Sequence, residues 1–136
     1  MVEDCIFCRI AKGEIPCDKI WEDENFFAIL DINPYVRGHV IVVPRLHARW
    51  VWDSDDDEYV RYMLAVKKVV GFLRRALNTE CVQEFIVGAE VAHAHVHLLP
   101  RIEGDGLPEV LHEPMRVKPS EKEMKEIFEK IKLVVD

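Results

Sequence analysis

The sequence predicts an α+β fold built on an antiparallel sheet. Short apolar runs rich in β-branched and aromatic residues follow one another closely. Other segments carry their apolar residues at helical spacing. The strands mostly succeed one another directly instead of alternating with helices, which favours antiparallel pairing. The expected order is helix, strands, helix, strands, helix, in a single domain over residues 1–136.

A short helix is expected over residues 5–12, with Asp4 as its cap and Gly13 as its stop. Residues 19–21 and 26–31 read as strands around the polar turn Glu22-Asp23-Glu24-Asn25. Asn33-Pro34 marks another turn. His39 to Val43 is short and almost wholly apolar, as a buried strand is, and Pro44 ends it. Ser54 then opens an acidic first turn, Asp55-Asp56-Asp57-Glu58, suited to the positive end of a helix dipole. Tyr59, Tyr62, Met63, Val66, Val69, Val70, Leu73 and Leu77 follow at helical spacing, so a long amphipathic helix ends near Asn78. That stripe is core-facing. Residues 82–87 and 91–99 read as strands around Gly88. Residues 102–119, with Pro108, Pro114, Pro119, Gly104 and Gly106, read as an irregular loop. Ser120 and Glu123 form a capping box for a last helix over about 120–134, with Met124, Ile127, Phe128 and Ile131 inward.

Composition narrows the function classes. Lys plus Arg number 18 against 25 Asp plus Glu, a net charge of −7. That balance excludes general nucleic-acid binding, which needs a basic face, and argues against anionic membrane surfaces. No apolar run approaches the roughly 18 residues of a membrane span. The first residues are acidic and lack the apolar core of a signal peptide, so a cytoplasmic location is expected. In that reducing setting, the Cys5-x-x-Cys8 pair points to metal or redox chemistry before a structural disulfide. A thioredoxin-like pair would need a preceding strand, which Cys5 lacks.

Three of the six histidines fall within seven residues, His93-Ala94-His95-Val96-His97-Leu98-Leu99. On a strand, alternate side chains share a face about 7 Å apart, so the three imidazoles would point one way. A merely solvated face would more readily carry Lys, Glu or Thr. Two chemistries remain open on this ground. The row could chelate one zinc. Alternatively, one imidazole acts as a nucleophile while its neighbours orient it, with its second ring nitrogen bonded so that the attacking nitrogen stays free.

The triplet matches the signature His-φ-His-φ-His-φ-φ of the histidine triad (HIT) family, φ being apolar. In the family's order the chain also carries Cys5-Ile6-Phe7-Cys8-Arg9-Ile10, Gly13-Glu14-Ile15-Pro16, Glu22-Asp23, Asp31-Ile32-Asn33-Pro34, Gly38-His39 and Val43-Pro44-Arg45-Leu46-His47. The resemblance spans residues 5–101 and is nearest to the HINT-like and bacterial HIT branch. It implies a HIT-like fold: a five-stranded antiparallel sheet with a long and a short helix, dimerising into a ten-stranded sheet. It implies a hydrolase or transferase of nucleotides, acting on a nucleoside 5′-phosphoramidate or related purine nucleotide through a nucleotidyl-histidine.

By this resemblance His95 is the nucleophile, His97 holds it through a backbone group, His93 faces the leaving group and His39 supports them. Asp31 would accept from the ribose hydroxyls, and Ile10, Ile29 and Ile32 would wall the base pocket. Main-chain N–H groups from Gly88 through Glu90 to Val91 would hold phosphate oxygens. Related members bind a structural zinc, for which the matching donors are Cys5, Cys8, His47 and His93. Such a site would tie the first helix to the sheet and stabilise it. The ring of His93 cannot serve both zinc and leaving group. The chain departs from the family at Ala89 and Glu90, where many members carry Gln and Ser, and Gln83 is the nearest equivalent of a usual Asn. Two other readings stand beside the enzyme: a nucleotide-binding regulatory module with little turnover, and a metalloenzyme using the histidine row as ligands.

Overall fold

A computed structural model describes residues 4–135. The elements are α1 (Ile6–Ala11), β1 (Lys19–Glu22), β2 (Phe26–Leu30), β3 (Val40–Pro44), a 3₁₀ turn (Val51–Asp53), α2 (Asp56–Leu77), β4 (Cys81–Phe85), β5 (Val96–Arg101) and α3 (Glu121–Lys132). The five strands form one antiparallel sheet in the order β1-β2-β3-β5-β4. The expected α+β class and five-stranded sheet are both present.

The near-unbroken apolar runs of β2 and β3 follow from burial on both sides. Phe26, Ala28, Val40, Val42, Val96 and Leu98 face α2 and α3 and form the main core with Tyr62, Val66, Val69, Phe72, Leu73, Ile127 and Ile131. The alternate residues Phe27, Ile29, Ile41 and Val43 face the other way and pack with Phe7 and Ile10 of α1. The Tyr62 hydroxyl donates to the Val42 carbonyl at 2.6 Å, so the one polar atom that the long helix sends into the core is satisfied.

The helix ends refine the sequence expectations. Asp55, not Ser54, caps α2: its carboxylate accepts from the Glu58 N–H at 2.8 Å. Asn78 closes α2 with φ 49°. Cys5, not Asp4, caps α1, since its Sγ accepts from the Cys8 N–H at 3.4 Å. The Ser120–Glu123 capping box is formed, with Ile127 and Ile131 inward and Met124 and Phe128 half-buried. Tyr59 lies outside the α2 core stripe and is exposed, while Ala65, Phe72 and Ala76 join it.

The largest difference concerns the last two strands. β4 ends at Phe85 and β5 begins only at Val96. Residues 86–95 form an irregular connection, so of the three clustered histidines only His97 lies on a strand. The alternation argument fails there because the Ala94 N–H donates to Ala48 O at 2.7 Å, outside the sheet ladder.

Gly38, which leads into β3, has φ +86°, and a Cβ there would stand 2.9 Å from Leu77 Cδ1 and 3.1 Å from Pro100 Cγ. Gly38→Ala therefore combines backbone strain with overpacking. It should cost about 1–3 kcal/mol. Urea unfolding checks this: the midpoint should fall with the m-value unchanged.

Candidate functional site

Two neighbouring antiparallel strands assemble the site. β3 and β5 pair with Val40 opposite Leu98 and Val42 opposite Val96. That register sets His97 opposite Ile41, on the sheet face that packs against α1. It brings His39, just before β3, to His97, and brings the segment after β3 beside His93 and Ala94.

At the far end of this pair four donors converge: Cys5 Sγ, Cys8 Sγ, His47 Nδ1 and His93 Nδ1. His93 Nδ1 is 3.1 Å from Cys5 Sγ, 3.4 Å from Cys8 Sγ and 3.2 Å from His47 Nδ1; Cys8 Sγ is 3.3 Å from His47 Nδ1. A tetrahedral zinc with Zn–S about 2.3 Å and Zn–N about 2.0 Å spaces its donors about 3.3–3.8 Å apart. The set fits such an ion to within a few tenths of an ångström, and two thiols with two imidazoles are the donor chemistry zinc takes. The outer contacts fit as well: His93 Nε2–H donates to Pro44 O at 2.8 Å, which leaves Nδ1 as a lone pair aimed into the cluster. Burial pushes the His93 imidazole down to about 4, so it is neutral, as a metal ligand must be. Burial also raises the Cys5 thiol above its ordinary value, so without a cation it stays protonated. The sequence-derived quartet is therefore brought together as one group able to hold a metal.

The remaining clustered histidines and His39 are arranged differently from the sequence expectation. His95 Nδ1 lies 2.7 Å from the carbonyl of His93, so the backbone group that holds His95 belongs to His93 and not to His97. A carbonyl only accepts, so Nδ1 carries the proton and Nε2 is left free. The Tyr35 N–H donates to His39 Nδ1 at 3.0 Å, so the proton of neutral His39 sits on Nε2. That nitrogen lies 2.9 Å from His97 Nδ1 and donates to it, which leaves His97 with an Nε2–H. Asp31 Oδ2 stands 3.6 Å from His39 Nε2 and 3.9 Å from His97 Nδ1, while its Oδ1 accepts from the Asn33 N–H at 2.8 Å. Burial, reinforced by the neighbouring imidazole of His95, pushes His39 and His97 down to about 4. The face thus offers neutral rings with defined donors and acceptors.

His93, His95 and His97 do not converge on one point. The His93 ring belongs to the cysteine cluster, so it neither faces the leaving-group side nor forms a metal-binding row with the other two. His39 Nε2 and His97 Nδ1, 2.9 Å apart, share a hydrogen bond, with Asp31 close by as a third donor atom.

Of the expected base-pocket residues, Ile10 and Ile29 lie buried together on the α1 side, and Ile32 is 75% exposed. Gly88 is buried with φ +67° under the Trp50 ring, and its carbonyl accepts from Arg49 Nη2 at 2.8 Å. Ala89 and Glu90 are exposed and Val91 is half-buried. Gln83 is turned to the 102–109 loop, bonding Glu109 O and Arg101, and takes no part in the site. Sequence reasoning missed Phe7, whose ring lies 5.6 Å from His93 and 5.2 Å from His95. Its place between the two cysteines was the available signal. It also missed two backbone groups, Tyr35 N–H and Pro44 O, which no side-chain pattern announces.

The neutral His39–His97 pair sets a pH dependence. Between an unfolded value of 6.5 and folded values of about 4, the unfolded chain binds protons that the folded chain refuses. Stability from these groups is full above pH 6.5 and is lost as pH falls toward 4, with a slope of up to about 1.4 kcal/mol per pH unit per group. Thermal unfolding at pH 7.5, 6.0 and 5.0 should show the fall, and His39→Gln should flatten it.

A HIT domain profile matches residues 12–104. The chain is 42% identical over 106 residues to an uncharacterised HIT-like protein of Methanocaldococcus jannaschii, covering 75% of this chain and 82% of that one. It is 34% identical over 102 residues to an adenosine 5′-monophosphoramidase of Schizosaccharomyces pombe, covering 71% of this chain and 74% of the other. A solved zinc-bound histidine triad family protein of Mycobacterium smegmatis has TM-score 0.71 and 32% identity, covering 96% of this chain and 95% of that one. With the fold and the ordered histidines already in place, the profile match over more than half its length shows that the chain belongs to the HIT domain family.

Proposed function

We propose that the chain hydrolyses or transfers a purine nucleoside 5′-phosphoramidate, or a related nucleotide, through a nucleotidyl-histidine on His95. The observation that carries this reading is the 2.7 Å bond from His95 Nδ1 to the His93 carbonyl, which leaves Nε2 unprotonated for attack on phosphorus. Family membership supports hydrolase chemistry, and the fission-yeast phosphoramidase supports the substrate class.

In the first step the His95 Nε2–P bond forms and the bond from phosphorus to the leaving amine breaks. The electron pair goes to the amine, which takes a proton from solvent, since the His93 ring is committed elsewhere. His97 Nε2–H, fixed by the chain Tyr35 N–H to His39 to His97, donates to a phosphate oxygen as charge builds there. Main-chain N–H groups between Gly88 and Val91 supply further donors. Water then cleaves the His95–phosphorus bond and releases the nucleoside monophosphate. Asp31 sits where it can reach ribose hydroxyls while it steadies the His39–His97 pair.

Cys5, Cys8, His47 and His93 hold a structural zinc in this reading; when bound, it supplies the charge that keeps both thiols deprotonated. The chain forms a homodimer through α2 and the edge strand β4, where Val60 and Leu64 of α2 are exposed near Trp52 of the 3₁₀ turn and Val87 just after β4. Glu90, exposed on the 86–95 connection, favours a second reading, a nucleotide-binding module with little turnover, because a carboxylate there weakens the hold of the neighbouring N–H groups on a phosphate.

Incubation with adenosine 5′-phosphoramidate separates the readings. The wild-type chain should release the amine, and His95→Asn should lose at least about 10³-fold in kcat while still binding the monophosphate. Near-parental turnover in that variant would end the covalent mechanism. Metal analysis of the purified chain should give about one zinc per chain, and Cys8→Ser should lower both zinc content and Tm.

A further inference from the structure

Arg49, in the connection between β3 and α2, carries the one buried side-chain nitrogen without a hydrogen-bond partner among the described residues. Its Nη2 donates to Gly88 O at 2.8 Å, while Nη1 is buried and unpaired. The guanidinium carbon lies 3.9 Å from the Trp50 ring centre, and no carboxylate forms an ion pair with the group among the described residues. An unpaired buried nitrogen destabilises the fold, and stacking on the indole offsets only part of that cost. A neutral amide could hold a carbonyl without it, so the charge itself calls for a reason.

The carbonyl it holds belongs to a glycine. Gly88 has φ +67°, and a glycine leaves the peptide that follows it free to turn over. Every peptide described is trans, so the Ala89 N–H points opposite to the Gly88 carbonyl. Fixing that carbonyl on Arg49 therefore aims the Ala89 N–H away from the guanidinium. The bond also polarises the peptide unit and strengthens its N–H as a donor. Ala89 is exposed, and the main-chain N–H groups of Gly88, Ala89, Glu90 and Val91 donate to no other group among the described residues. Trp50 secures the other side of Gly88, where a Cβ would collide with its ring.

We propose that Arg49 locks the Gly88–Ala89 peptide with its N–H outward, as a donor to the phosphate of a bound nucleotide. This rests on the reading of the Gly88 to Val91 N–H groups as phosphate donors. Arg49 is a positioning residue, since it touches the loop and not the substrate. Turned over, the same peptide would present the Gly88 carbonyl, and its negative end would repel a phosphate oxygen. The guanidinium charge behind the peptide also opposes the field of Glu90, one residue further on.

Titration calorimetry on the full chain, with adenosine 5′-monophosphate and with adenosine, tests this. The wild-type chain should bind the monophosphate more tightly than the nucleoside. Arg49→Met keeps an apolar stem against Trp50 and removes both fork and charge. It should weaken the monophosphate about 10-fold, the weight of one hydrogen bond to a charged group, and leave adenosine unchanged. Arg49→Lys keeps a charge and a donor without the planar fork, and should fall between. Ala89→Pro deletes the N–H itself and should match Arg49→Met, and the double variant should lose no more than either alone. A monophosphate-to-adenosine ratio unchanged in Arg49→Met, or in Ala89→Pro, overturns the lock. Should Arg49→Met fail to fold, Arg49→Lys and Ala89→Pro decide. A wild-type chain that binds adenosine as tightly as its monophosphate would overturn the phosphate reading of the loop and the lock with it; a phosphate preference indifferent to Arg49 would overturn only the lock.

Discussion

The pairing of β3 with β5 is the constraint on which the site depends. These strands are distant in sequence and adjacent only because the chain goes out along α2 to the edge strand β4 and returns to the centre. Their register lays His39 near His97 and lays Pro44 and His47 near His93. A shift by one residue would turn His97 from the α1 face into the α2 core and would separate both sets of contacts. The apolar residues of β3 and β5 prevent that shift, since Val40, Val42, Val96 and Leu98 must all meet α2 together. Packing on one side of the sheet thus fixes chemistry on the other.

The same burial decides the charge state of the site. His39 and His97 could each carry a proton near neutral pH if exposed, but burial makes that costly and each holds the other in a single tautomer. A neutral chain of donors and acceptors suits the proposed attack on phosphorus, because only an unprotonated imidazole nitrogen is a nucleophile. His97 lies opposite Ile41, on the sheet face that Phe27, Ile29 and Ile41 share with the apolar cluster under α1. Cys5 and Cys8, two of the four donors gathered with His47 and His93, belong to that same apolar cluster.

Much of this was legible in the sequence, and the limits have physical causes. The two long amphipathic patterns, their caps and the first four strands follow from periodicity and local hydrogen bonding, and they came out within a residue or two, whereas the last strand begins five residues later than expected. The residues that meet, including the Cys5, Cys8, His47 and His93 quartet, were legible only through the order of motifs, because periodicity says nothing about which distant segments touch. What failed was the assumption that alternating histidines imply a strand. Residues 93–95 trade ladder bonds for contacts with the segment after β3, and a tertiary hydrogen bond of that kind leaves no mark on the local pattern. The swap of roles between His93 and His97 has the same origin: the deciding acceptor is a carbonyl, which every residue possesses.

The connection between β3 and α2 is therefore more than a linker. It supplies His47 to the cysteine–histidine cluster and Ala48 O to the stretch before β5. It also supplies the Arg49 guanidinium that holds the Gly88 carbonyl, and the Trp50 ring packed on Gly88 where a side chain would collide. Arg49 lies 3.9 Å from the Trp50 ring centre, and Trp50 stacks on Trp52 at 5.2 Å, so this part of the connection is stiff. It meets the 86–95 connection at both ends, Gly88 and His93. A loop clamped so cannot move its N–H groups far, which suits the role proposed for them as phosphate donors aimed before charge develops. Glu90 lies between the clamped ends and is exposed, so its carboxylate is solvated and its repulsion is screened at physiological salt. In the proposed reaction the departure from the family at this position therefore bears on the phosphate contacts more than on the bond that orients His95.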